Sequence, residues 1–347
     1  RGYRPEDFFE GRVLKRTSRT DQFALIAAEE AVRTSGLSSI PPEEVSVCLG
    51  AGAGGMFEAE VYHRKVLLKG KSKPSLLRPF IPSYATDRVA ERFRFSGPKM
   101  TVTTACSASA TAIGYGADLI RNGRARAVLC GGSEALSELT FGGFNSLRAM
   151  DPSPCRPFDR NRAGMSLGEG AAVLVLEDDE EAARRGATVF AEFLGYGVGG
   201  EAFHMTAPEP SGVLEARIMK EALKEGGVSP EDIHYINAHG TGTPLNDKVE
   251  TLAIKKTFGE GAYSIPISST KSMIGHCLGA AGAMEAVASV LAMIHRFIPP
   301  TLNHLEGDEV CDLDYVPGKA RDKESRFVLS NSFAFGGNGT TLVFGKK

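Results

Sequence analysis

Two stretches of this 347-residue chain run through the same order of elements, and a duplicated unit fixes an architecture before any single motif is interpreted. Residues 21–36 (DQFALIAAEEAVRTSG) set Phe23, Ile26, Ala27 and Ala31 at helical spacing and end on a glycine suited to a C-terminal cap. Pro41-Pro42-Glu43-Glu44, an apolar strand at 45–49 and a glycine loop follow. Residues 212–227 repeat the arrangement with Leu214, Ile218, Ala222 and Leu223, then Ser229-Pro230-Glu231-Asp232, a strand at 233–238 and another glycine-bearing loop. The correspondence continues: a strand at 100–104 leads into a small-residue helix at 106–122, and a strand at 264–269 leads into a small-residue helix at 278–294. Hydrophobic strands around glycines, at 168–177 and 327–344, close the two halves. The pattern predicts two α/β halves related by an approximate twofold axis, residues 1–187 and 188–347, with the boundary near Gly186. The second half opens with a strand at 188–194, whereas no apolar run precedes Asp21. The first half is therefore expected to lack its opening strand, whether as a fragment or because its start is left out.

Composition narrows the function. Lys and Arg number 40 against 42 Asp and Glu, a formal charge of −2, so no net basic field exists to replace phosphate counterions and nucleic acid is excluded as the main partner. Six cysteines show neither a C-x-x-C pair nor the Cys/His spacing of a zinc module, which predicts a reduced cytosolic setting and no metal. The most membrane-like run, residues 277–294, carries Glu285 at its centre among glycines and alanines, and reads as a buried helix rather than a span.

One cysteine stands apart. Thr103-Thr104-Ala105-Cys106-Ser107 places a thiol where a buried strand turns into a helix, and the positive end of the helix is expected to favour thiolate. Cys48 and Cys130 sit inside apolar strands and read as core; Cys155, Cys277 and Cys311 lack the strand-to-helix setting. The helix after Cys106 is rich in Ala and Gly, as is its counterpart around Gly279 to Ala283, so the two are expected to pack closely across the pseudo-twofold. His239 follows the strand at 233–238 directly, at the strand end where α/β sites are built. His276 lies five residues after Lys271, in a segment expected to hold in the second half the place of Cys106 in the first. A cysteine, two histidines and a lysine converging there suggest nucleophilic acyl chemistry with stabilisation of an oxyanion or enolate. Zinc is disfavoured, because the ligands lack local spacing and Lys271 would repel a cation.

These residues resemble the β-ketoacyl-acyl-carrier-protein synthases, most closely the elongating branch of fatty-acid and type II polyketide synthesis. The likeness runs from about Asp21 to the end of the chain: TACSAS at Cys106, GGSEA at 131–135, RPFDRNRAG at 156–164, GEGAAVLVLE at 168–177, HMT at 204–206, NAHGTGTP at 237–244, SSTKSMIGH at 268–276 and NSFAFGG at 331–337. The resemblance implies the thiolase fold, an internally duplicated five-layered α/β/α/β/α architecture, usually dimeric: here a homodimer, with a heterodimer as the alternative. It makes Cys106 the acyl-accepting nucleophile with His239 and His276 as its triad partners, and the backbone N–H groups of Cys106 and Phe335 an oxyanion hole. Lys271 would keep the His276 side electropositive and ordered, with Glu285 completing that network. Thr206, Thr241 and Thr243 would bind the phosphopantetheine of the acyl carrier protein, which brings the substrates; no further cofactor is implied. Phe144, Phe333 and Phe335 would be pocket and gate aromatics.

Two departures bear on specificity. Ala53 lies where elongating relatives often carry a bulky aliphatic residue, which predicts a deeper or wider acyl pocket. Ala334 replaces a flexible glycine of the closing motif, which would stiffen the gating loop. The loop at 50–55 also fits G-x-G-x-x-G, but no strand ending in an acidic residue follows at dinucleotide-site spacing. Lys65, Lys69, Lys71, Lys73 and Arg148 are candidates for a docking patch for the acidic carrier protein, or else an ordinary solvated face. Competing readings are a non-condensing chain-length-factor-like subunit, which usually lacks the nucleophile, and a CoA thiolase or cysteine hydrolase, the former needing Cys277 or Cys311 to face Cys106.

Overall fold

The computed structural model describes residues 2–14 and 16–347. Its first half is built on strands β1 (Val45–Gly50), β2 (Lys99–Val102), β3 (Ala127–Glu134) and β4 (Gly170–Glu177), in the order β2-β1-β3-β4. β1 pairs in parallel with β2 and β3, whereas β4 returns antiparallel to β3. Every residue of β1 and β3 is buried, as strands covered on both faces must be, and this explains their mainly apolar sequences.

The second half repeats the plan with β5 (Glu192–Gly200), β6 (Tyr235–Asn237) and β7 (Ile267–Ser268). After a small ribbon of β8 (Phe297–Ile298) and β9 (Arg321–Asp322), it closes with β10 (Phe327–Phe333) and β11 (Asn338–Gly345). The order is β5-β11-β10-β6-β7, again with a parallel centre and an antiparallel closing strand. β7, β6, β10 and β11 thus correspond to β2, β1, β3 and β4. β5, antiparallel on β11, has no counterpart among the described residues of the first half. The opening strand also lies later than the expected 188–194. Gly195, Gly197 and Gly199 carry it past that range, because a Cβ at Gly197 would stand 2.1 Å from the Ile218 carbonyl oxygen of the overlying helix.

Helices Arg19–Ser35 and Val213–Gly226 cover the outer faces of the two sheets. The first is held by a reciprocal capping box between Ser18 and Asp21 and ends at Gly36 in the left-handed region. Between the sheets lie the small-residue helices Ala108–Arg121 and Ala281–His295, giving five layers. Their close packing has a measurable basis. A Cβ built on Gly282 would sit 2.7 Å from the Ala110 Cβ, and the Ala283 N–H donates to the Ser109 hydroxyl at 2.9 Å. Taken with the short turn before it, the second helix is long and apolar enough over Leu278–His295 to cross a membrane, but 61% of that stretch is buried inside the fold and Glu285 is engaged within it.

Both central helices are reached through a 3-10 turn, Ala105–Ser107 and Leu278–Ala280, whose first residue is strained: Ala105 has φ 48° and Leu278 φ 47°. Left-handed backbone costs roughly 1–2 kcal/mol per non-glycine residue, and its recurrence at matched positions marks a shared strand-to-helix elbow. The second half's equivalent of Cys106 is therefore Gly279, three residues beyond His276, rather than the segment before it.

Candidate active site

Cys106 occupies the first elbow, 7% exposed, on the wall of a cavity of about 350 Å³ that His239 and His276 also line. The expected thiolate does not hold in this resting cavity. Burial pushes the Cys106 thiol up to about 12; Lys271 pulls in the opposite direction and Glu134 and Glu285 add to the rise. The helix start is where the sequence placed it, but loss of water outweighs its field.

His239 follows β6, and its backbone is clamped by a residue the sequence reading missed. Glu250, on helix Pro244–Phe258, accepts the N–H groups of His239 and Gly240, each at 2.8 Å, and a third hydrogen bond from Asn331 at 3.2 Å. Burial raises the Glu250 carboxyl to about 7 in spite of those donors. Asp247, one turn earlier, accepts from the Phe158 N–H at 2.7 Å and the Gly242 N–H at 3.2 Å. The i, i+3 spacing of two acids just after NAHGTGTP was the available signal. His276 is fixed by its own backbone, donating to the Ser166 carbonyl at 2.7 Å and accepting from the Gly168 N–H at 3.0 Å.

The two imidazoles meet edge-on, with centroids 5.3 Å apart and planes at 85°. Burial first, then the Lys271 charge, holds both well below the ordinary histidine range, with His276 adding to the effect on His239, so both are neutral. Their tautomers follow from their partners. The Lys271 ammonium has only hydrogens to give, and its Nζ lies 3.2 Å from His239 Nδ1; the Leu278 N–H donates to His276 Nδ1 at 3.2 Å. Each Nδ1 is an acceptor, so each ring carries its proton on Nε2. His276 Nε2 is buried without a partner among the described residues. The pair presents two N–H donors, the arrangement that stabilises a developing oxyanion. Lys271, 2% exposed, is ion-paired with Glu285, whose carboxyl burial raises to about 7 against the pull of Lys271.

Thr206, Thr241, Thr243, Phe144, Phe333 and Phe335 all line the same cavity, with the Phe144 and Phe335 rings 5.6 Å apart and the Thr241 and Thr243 hydroxyls hydrogen-bonded at 2.9 Å. Ala53 does not line it. Its N–H donates to the buried Glu134 carboxylate, as do those of Gly52 at 2.9 Å and Gly279 at 3.2 Å. The 50–55 loop thus spends amides on an internal acid that a nucleotide site would aim at phosphate. Cys277 and Cys311 are buried outside the cavity lining, so neither faces Cys106 there. Lys65, Lys69, Lys71, Lys73 and Arg148 are exposed, and Arg148 also lines the cavity.

Comparison with known proteins shows the family. Residues 4–182 match the family description "Beta-ketoacyl synthase, N-terminal domain" and residues 190–305 "Beta-ketoacyl synthase, C-terminal domain". The 3-oxoacyl-acyl-carrier-protein synthase 2 of Synechocystis sp. is 42% identical over 350 residues, covering 98% of this chain and 84% of that protein. The same-named protein of Staphylococcus aureus is 39% identical over 351 residues, covering 98% and 85%. Among solved structures, the ishigamide ketosynthase/chain length factor gives a TM-score of 0.94 at 38% identity, covering 100% of this chain and 87% of that one. A type II polyketide acyl-carrier protein in complex with its ketosynthase gives 0.91 at 35% identity, covering 96% and 86%. The duplicated fold is the thiolase fold, and the protein is an acyltransferase. The chain belongs to the β-ketoacyl synthase family, in its elongating branch.

Proposed function

We propose that this enzyme condenses an acyl group held on Cys106 with a malonyl thioester, both delivered on the phosphopantetheine arm of an acyl carrier protein, in fatty-acid or type II polyketide synthesis. The observation that carries the reading is the pair of Nε2–H donors sharing a cavity with a single cysteine. In the first step Cys106 Sγ bonds to the acyl carbonyl carbon, the carrier thiol departs, and the proton lost by Cys106 ends on it. Neutral thiol-for-thiol exchange of this kind suits a cysteine whose thiol burial has pushed up to about 12. Backbone N–H groups of Cys106 and Phe335 hold the oxyanion. In the second step the malonyl C–C bond breaks, CO₂ leaves, and the enolate oxygen accepts hydrogen bonds from both imidazoles. The enolate carbon attacks the acyl-cysteine, and uptake of one proton restores the thiol. Lys271 acts by holding His239 in the required tautomer, with Glu285 as its counter-ion.

Thr206, Thr241 and Thr243 are the hydrogen-bonding groups for the arm, and Phe144, Phe333 and Phe335 shape its path. Lys65, Lys69, Lys71, Lys73 and Arg148 form the carrier-protein docking face. Ala53 shapes an acyl pocket beyond the cavity described above. We infer a homodimer, supported by the exposed Leu67, Leu68, Leu139 and Phe141, acting in the cytosol, as its free thiols suit. Incubation with an acyl-carrier protein should add one acyl mass at residue 106 of the wild type and none to Cys106→Ala. Equal uptake by the variant would overturn the assignment. A ladder of acyl primers then reads the pocket depth, and a cut-off at short chains would contradict the role given to Ala53.

A further inference from the structure

The Cys106 cavity carries one carboxyl that the chemistry above does not use. Glu215 lies in the first turn of helix Val213–Gly226, is 4% exposed, and lines the cavity together with Thr206 and Phe335. Its Oε2 is buried and has no hydrogen-bond partner among the described residues. Buried acceptors are nearly always paired in a folded protein, so one left without a partner on a residue that lines the cavity points to a donor arriving from outside. The neighbouring acids cannot supply it. Glu201 Oε1 already accepts the Glu209 N–H at 2.9 Å, and Glu209 Oε2 accepts both the N–H and the hydroxyl of Ser211. Burial, followed by the charges of Glu201 and Glu209, raises the Glu215 carboxyl to about 7. Glu201 lines the cavity beside Glu215, and a Glu215 oxygen without a partner accepts from a neutral N–H or O–H in either protonation state.

The occupant must be long and thin, since it has to reach a cysteine that is 7% exposed through a cavity of about 350 Å³. We propose that Glu215 accepts a hydrogen bond from an amide N–H or hydroxyl of the arm that carries the thioester, and thereby selects amide-bearing thioesters over apolar ones. This rests on the acylation of Cys106 proposed above. Glu215 is a binding residue in this account, so its removal should weaken capture of the arm and leave the chemistry at sulfur unchanged.

The test compares the wild type, Glu215→Gln and Glu215→Leu, each as the full chain, with two donors: an acyl-pantetheine and the same acyl group on ethanethiol, which has no amide. The readout is the rate at which a single acyl mass appears on Cys106 as donor concentration is varied. Glu215→Leu should raise the half-saturating concentration of acyl-pantetheine about tenfold at an unchanged limiting rate, the effect of one lost hydrogen bond. It should leave the ethanethiol donor within about twofold, while Glu215→Gln, which keeps a carbonyl acceptor, stays within about threefold of wild type on both. Wild-type saturation of the Leu variant with acyl-pantetheine would overturn the proposal. So would an equal loss with both donors, which would mark a structural role. If Glu215→Leu does not fold, Glu215→Ala replaces it under the same criteria. Absence of acylation in the wild type with either donor would instead sink the nucleophile assignment, and this inference with it.

Discussion

Replacing Lys271 by methionine removes a buried cation from between Glu285 and His239, and the two consequences can be separated. The first is structural. With both partners of the pair at most 2% exposed, deleting one leaves a buried carboxylate, a change worth about 3–5 kcal/mol and a Tm lower by on the order of 5–10 °C. The loss should shrink at low pH. Glu285 already stands near 7 with Lys271 present and rises further without it, so protonation removes the unpaired charge. The second consequence is chemical. Without the ammonium at 3.2 Å, His239 Nδ1 is free to carry the ring proton, which turns Nε2 from a donor into an acceptor. Loss of one oxyanion donor costs about 10²–10³ in rate. A double variant, Lys271→Met with Glu285→Leu, tests the division, since replacing a whole buried pair by apolar groups is close to neutral. Thermal melting should recover towards wild type, while CO₂ release from malonyl-carrier protein stays depressed by at least about 10². Recovery of decarboxylation along with stability would refute the idea that Lys271 sets the His239 tautomer.

The pH dependence of decarboxylation follows from the same groups. Both imidazoles are held well below 6.5, so their neutral donor form persists above that low value and is lost only as pH falls through it; the rate should show no imidazole limb between pH 6.5 and 8. A limb near 6.5 would contradict the neutral pair. Glu134, Glu250 and Glu285 have folded-state values near 7, above their unfolded ones, so the folded state binds more protons between about pH 4.5 and 7 and these groups reduce stability as pH rises through that window. Glu250→Gln should flatten that slope in melting curves, and an unchanged slope would count against it. Gly282→Val should destabilise by about 1–3 kcal/mol or abolish folding, read as Tm or soluble yield, because its Cβ meets Ala110 at 2.7 Å; a wild-type melt would refute the close approach of the central helices.

The duplication was legible because helix spacing, the Pro-Glu turn and the strand after it recur as local signals in both halves. Cys106, His239 and His276 were legible for the same reason, each standing at a strand end or at the start of a helix. What escaped depends on long-range contact. The Cys106 thiol was misjudged because a helix start can be read from sequence and the loss of water around it cannot. Glu215 looks like an ordinary first-turn acid of an amphipathic helix until the fold turns it onto the cavity wall. The amide of Ala53 serves Glu134, and only the meeting of the 50–55 loop with β3 reveals that. The glycines of β5 concealed where that strand ends, since their reason for being there is the backbone of a helix packed against them.

Acyl loading and decarboxylation, measured separately in a single turnover of His239→Ala/His276→Ala, test the central claim most directly. If the imidazoles serve as paired donors to the enolate, the double variant should still take one acyl mass on Cys106 within about tenfold of the wild-type rate, and lose CO₂ release by at least about 10³. Retained CO₂ release, or loss of loading in equal measure, would contradict the division of labour between the sulfur and the two rings.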